Sequence, residues 1–181
     1  YADHRAPQEF TMEKDHEEAR HIAEESMVLL QNTDQILPLK ASEKVAFVGG
    51  FAKKPRFQGG GSSHINCFKI TNALESVPAD AQVTYAEGFP ADKDLYDEKL
   101  AAEAVQAAKT ADKVVIFAGL PDSFESEGYD RSHMRLPECQ NRLIGEILEV
   151  QPNTVIVLHN GSPVEMPWIN NVKGILEAYL G

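Results

Sequence analysis

Apolar positions in residues 12–30 recur at three- and four-residue steps: Ala19, Ile22, Ala23, Met27 and Leu30 form one stripe, with Glu17, Glu18, Glu24 and Glu25 opposite. That spacing predicts an amphipathic helix from Met12, broken by the "LPL" of 37–39. The pattern then changes. "KVAFVGG", "QVTYAEG", "KVVIFAGL", "NTVIVLHNG" and "KGILEAYLG" are short apolar runs, each closing on or near a glycine. Helical patterns lie between them: a short one at "ITNALESV", an alanine-rich one from Leu95 to Ala111, and one from Pro137 to Val150 with proline in its first turn. Buried strands alternating with helices predict an α/β fold. The expected form is a three-layer sandwich, with a mostly parallel twisted sheet of five to six strands and helices on both faces. Residues 1–10, "YADHRAPQEF", show no periodicity and read as a linker or tail from a preceding domain, leaving 11–181 as one domain.

In open parallel sheets, ligands collect outside the carboxyl ends of the strands. Two segments leave strand ends without turning into helix at once, "FAKKPRFQGGGSSHINC" and "SFESEGYDRSHMRLP", and both are expected on the same rim. The glycines of "QGGGSSH" expose backbone N–H groups, which invites a phosphate-cradle reading. The spacing opposes it. No G-x-G-x-x-G opens a helix after the first long strand, no lysine follows the glycines, and Glu87 lies 38 positions after Gly49 rather than about 20. Two readings stay open: a flexible surface loop, or a loop whose glycines admit a neutral polar ligand to the backbone while Ser62 and Ser63 offer hydroxyls.

The acidic segment carries Glu125 and Glu127. In an extended chain they project to one side, and like charges held close resist joint ionisation, so one pKa is expected to rise. A glutamate raised in this way can donate a proton near neutral pH. Gly128 permits a sharp turn that would aim Glu127 outward. On residue types alone, a solvated acidic loop accounts for the segment equally well.

Composition narrows the partners. The chain has 181 residues, 43% of them hydrophobic, enough for one substantial core. A formal charge of -11 without a basic stripe makes nucleic acid and anionic membrane poor partners. No apolar run reaches the roughly 18 residues of a membrane span, and the N-terminus has no signal pattern. Cys67 and Cys139 lie far apart and match no metal spacing; reduced thiols and a cytoplasmic setting are expected. His16, His21, His64, His133 and His159 form no histidine-cysteine-carboxylate cluster, so no metal site is expected. No G-x-S-x-G elbow supports a serine nucleophile. Trp168 reads as a packing anchor. A start at Tyr1 and a stop after "GILEAYL" lead us to expect a piece of a longer protein, truncated at its C-terminal end.

"FESEGYDRSHMRLPE" resembles the acid/base loop of glycoside hydrolase family 3. "HEEARHIAEESMVLLQN", "ILPL", "FQGGGSSH" and "NGSPVEMPW" extend the resemblance in the family's order, over nearly the whole chain from His16 onward. The likeness is greatest to bacterial β-glucosidases. It implies a retaining, exo-acting enzyme with a (β/α)8-type barrel first and an α/β sandwich second. The nucleophilic aspartate would lie in the barrel and the acid/base glutamate on a sandwich loop; this chain resembles the sandwich alone. By that resemblance Glu127 is the acid/base, with Glu125 as its supporting neighbour and closest rival. Ser62 is the serine offered to the sugar, with Gly61 and Ser63 beside it. Asp130 and Arg131 are expected to pair and brace the loop, and Arg56 and Phe57 either border the sugar pocket or pack. The implied partners are a β-glucoside or oligosaccharide and an N-terminal barrel of the same polypeptide, and the resemblance implies no cofactor. A rival reading is a non-catalytic sugar- or nucleotide-binding α/β domain. A third, an N-acetylglucosaminidase of the same family, is disfavoured because those enzymes typically place the acid/base in the barrel.

Overall fold

The structure is a computed structural model that describes residues 10–180. The tail assigned to residues 1–10 therefore lies, apart from Phe10, outside the described residues. Helix α1 (Met12–Ser26) begins where the Thr11 hydroxyl accepts a hydrogen bond from Lys14 N–H, at 3.3 Å. It ends four residues short of Leu30. Met27 and Leu30, placed on the helical stripe by spacing, belong instead to the helix boundary and to strand β1 (Val28–Asn32). The helical spacing continues about one turn past the helix itself, because neither glycine nor proline marks the stop. What ends the helix is long-range: β1 pairs antiparallel with β6 (Gly174–Glu177), Val28 opposite Glu177 and Asn32 opposite Gly174.

The remaining strands are β2 (Lys44–Val48), β3 (Gln82–Ala86), β4 (Lys113–Gly119) and β5 (Thr154–His159). They form one six-stranded sheet in the order β1-β6-β5-β4-β2-β3, parallel except for β1. Alternation along each strand separates two cores. Ala46, Val48, Val114, Ile116, Ile156 and Leu158 face helices α2 (Glu98–Thr110) and α3 (Glu138–Val150), which contribute Ala101, Ala104, Ala108, Leu143, Ile144 and Ile147. Val45, Phe47, Val115, Phe117 and Val155 face the other way, with Phe47 and Phe117 edge to face at 5.0 Å. That second face is covered by a short 3-10 turn at Gly50–Ala52, the 36–39 run and residues 73–77. The helix expected at "ITNALESV" is a single turn, with Ser76 N–H donating to Asn72 C=O at 3.2 Å. Pro78 allows it no second turn.

Two polar side chains fix α3 against the end of β4 and the loop before α2. Asp94 accepts hydrogen bonds from Glu138 N–H at 3.0 Å and Cys139 N–H at 2.9 Å, capping α3 from a distant loop. Pro137 is the residue before that helix rather than within its first turn. Gln140 is buried and exchanges two 3.0 Å hydrogen bonds with the backbone of Gly119, closing the last rung of β4.

Candidate active site

β2, β4, β5 and β6 run parallel, so their carboxyl ends share one edge, and the segments leaving them meet there. The glycine segment and the acidic segment touch directly: Gly60 and Ser126 form a parallel bridge, and Glu127 N–H donates to Gly60 C=O at 3.4 Å. A Cβ on Gly60 would sit 2.6 Å from Ser126 Oγ. One on Gly61, whose φ is +90°, would sit 2.5 Å from Glu127 Cβ. The glycines are therefore required by the acidic loop itself, whatever else approaches them.

Glu127 sits in a tight turn. Tyr129 N–H returns to Ser126 C=O at 3.3 Å, and Gly128 at φ +74° supplies the left-handed position such a turn needs. The Glu127 carboxylate is exposed and accepts a 2.6 Å hydrogen bond from Ser62 N–H. Ser62, through its hydroxyl first and its N–H second, holds that carboxyl below the ordinary carboxylate range, against a small opposing effect of burial. The expected rise is thus reversed in this chain.

Glu125 is not the cause of any shift at Glu127, because the turn separates them. The Glu125 carboxylate points inward. It pairs with Arg56 Nη1 at 2.5 Å, accepts from Gly161 N–H at 2.9 Å, and accepts from the Ser162 hydroxyl. Burial pushes Glu125 up, but the bonds from Ser162, Gly161 and Arg56 prevail and its pKa falls. Arg56 is buried and also donates to Leu120 C=O, Glu125 C=O and Asp122. Sequence reading had not assigned Gly161 or Ser162 to the site. "NGSPVEMPW" carried them, but only as part of the resemblance.

The other expected residues divide. Arg131 pairs with Ser162 Oγ at 2.8 Å and Pro163 C=O at 3.0 Å, and among the described residues no ion pair joins it to Asp130, which is exposed. The geometry favours the carbonyl and hydroxyl because they lie at the neighbouring strand end, whereas Asp130 faces water. The Ser63 hydroxyl donates to Gly59 C=O at 3.1 Å, so it closes its own loop. Ser62 and Gly61 stand at the exposed rim beside Glu127. Trp168 is 5% exposed and packs in the core, its indole N–H on Asn141. His159 is buried between Phe51 and Phe117; burial pushes its pKa down to about 4. No cluster of metal-binding side chains is found among the described residues. Nor does any helix there have the length and apolarity to cross a membrane.

A mostly parallel α/β sheet that gathers three loops around two glutamates at its carboxyl edge is the architecture of a sandwich domain with a surface carboxylate site. The model of the glycosyl hydrolase family 3 C-terminal domain matches residues 27–181, and the chain belongs to that family. It is 54% identical over 170 residues to thermostable beta-glucosidase B of Acetivibrio thermocellus, covering 92% of this chain and 22% of that protein. It is 43% identical to an exo-alpha-(1->6)-L-arabinopyranosidase of Bifidobacterium longum, covering 91% of this chain and 23% of that protein. The crystal structure of a family 3 beta-glucosidase from Bifidobacterium adolescentis superposes with a TM-score of 0.90 at 45% identity, over 95% of this chain and 26% of that one. The chain thus spans about a quarter of the length of these relatives.

Proposed function

We propose that this chain is the acid/base half of a retaining, exo-acting β-glucosidase site, completed by an aspartate on an N-terminal barrel of the same polypeptide. One observation carries the reading: of the two glutamates, Glu125 has both oxygens engaged inward, while the Glu127 carboxylate stands exposed at the tip of a braced turn. A proton donor must reach its substrate, and Glu127 meets that condition. In the assembled site the aspartate attacks the anomeric carbon while Glu127 protonates the leaving oxygen; Glu127 then deprotonates the water that releases the sugar. Retention needs the two carboxyl groups about 5 to 5.5 Å apart. At that distance the aspartate's charge raises the Glu127 pKa, opposing the effect of Ser62. Ser62 and Gly61 border the sugar, and Ser63 acts through the shape of the glycine loop. The reaction written this way uses no cofactor.

The test is Glu127→Ala in the full-length enzyme. Turnover of an alkyl β-glucoside should fall by roughly 10² to 10⁴. A dinitrophenyl β-glucoside, which needs no proton at its leaving oxygen, should keep most of its kcat/KM, and azide should restore kcat. If Glu125→Ala behaves this way and Glu127→Ala does not, the assignment is wrong by two positions. The similarity to an arabinopyranosidase favours a second sugar, so an aryl α-L-arabinopyranoside belongs in the same assay.

A further inference from the structure

We infer that Arg56 is a positioning residue for this reaction, acting through Glu125 to set where the Glu127 turn stands. The inference rests on the acid/base reading of Glu127. Arg56 comes from the segment after β2, yet all its donors go to the segment after β4. Nη1 donates to Leu120 C=O at 3.0 Å and to Glu125 Oε2 at 2.5 Å, Nη2 to Glu125 C=O at 2.8 Å, and Nε to Asp122 at 3.2 Å. The guanidinium therefore holds the acidic loop at its exit from the sheet and again at Glu125, two residues before Glu127. Asp122 is exposed and adds little. The Leu120 and Glu125 bonds are shielded, with the Arg56 side chain only 6% exposed.

Glu125 passes the constraint to a third segment. Its Oε2 takes Gly161 N–H and its Oε1 takes the Ser162 hydroxyl, so one carboxylate joins the loops after β2, β4 and β5. Outside this knot and the turn's own Tyr129-to-Ser126 hydrogen bond, the Glu127 turn is held, among the described residues, by Gly60 and Ser62 of the glycine loop. Without Arg56 the turn keeps its tip contacts and loses its root. A fork of fixed geometry is needed here, because two carbonyls and a carboxylate must be met at once. A lysine ammonium cannot reproduce that planar fork.

The experiment measures Arg56→Lys, Glu125→Gln and Glu127→Ala in the full-length enzyme on two β-glucosides, one alkyl and one dinitrophenyl. A misplacement near 1 Å costs about 100-fold in a positioned proton transfer. Arg56→Lys should therefore lower kcat/KM for the alkyl glucoside roughly 10- to 100-fold, and for the dinitrophenyl glucoside by less than about threefold. The ratio between substrates is independent of how much enzyme folds, so simple destabilisation does not move it. Equal losses on both substrates for Arg56→Lys, with Glu127→Ala still selective, overturn this inference alone. Equal losses for Glu127→Ala overturn the acid/base reading and this inference with it. Should Arg56→Lys fail to fold, Glu125→Gln must show the same selectivity, since it weakens the knot without changing its shape; non-selective loss there is equally fatal.

Discussion

Glu125 and Glu127 have the same side chain, two positions apart, and their surroundings give them opposite orientations. Period-two reasoning put them side by side, and it failed because residues 126–129 turn instead of extending. The residue that decides this, Gly128, was visible in the sequence; the direction of the turn was not, because it depends on Gly60 and Ser62 from a segment more than 60 positions away. Gly61 offers the sharpest test at this scale. In Gly61→Ala the new methyl would meet Glu127 Cβ at 2.5 Å on a backbone at φ +90°. The full-length enzyme should then lose at least tenfold in kcat/KM for alkyl glucosides, while unfolding of the sheet shifts far less. His159 gives a test in acid. Its folded pKa of about 4 lies below the ordinary 6.5, so the folded chain resists a proton that the unfolded chain accepts. Stability should be unaffected above pH 6.5 and decline as pH falls from 6.5 towards 4, by on the order of 3 kcal/mol in all. Denaturant titrations from pH 7 to 4 should show this decline, and in His159→Leu its histidine component should vanish.

At the scale of elements, strands were the most legible part. Short apolar runs closing near glycine marked β2, β3, β4, β5 and β6; which side chains enter which core is a finding of the structure. β1 was missed because Val28, Leu29 and Leu30 satisfy a helical period as well as a strand, and only pairing with β6 decides between them. α3 was found, but not its cap. Asp94 lies more than 40 positions before the amides it accepts from, outside any local capping signature. Asp94→Ala should cost about 1 kcal/mol of stability, measured by thermal melting, and should leave the substrate ratios above untouched.

At the scale of the whole molecule, the proposed chemistry is divided between domains, and the relatives are about four times as long as this chain. The 181-residue chain alone should not hydrolyse an aryl β-glucoside; robust turnover by the purified chain would sink the divided-site reading. In the chain alone, Glu127 should titrate below the ordinary carboxylate range, as Ser62 dictates, and the acid/base pKa seen in the pH profile of the full-length enzyme should be higher. Carboxylate resonances followed by NMR would give the first value, and the basic limb of kcat/KM the second. The site was legible in outline because its residues cluster in short motifs. Its wiring was not, because Arg56, Glu125 and Ser162 meet only after the sheet brings three strand ends together.

That meeting also bears on inheritance and on engineering. A single half-buried carboxylate serves an arginine before it in the chain and a hydroxyl after it, so none of the three positions is free to drift alone. Among relatives, substitutions at 56, 125 and 162 should arise as sets, and a chimaera exchanging only the acidic loop should inherit its acid without its aim.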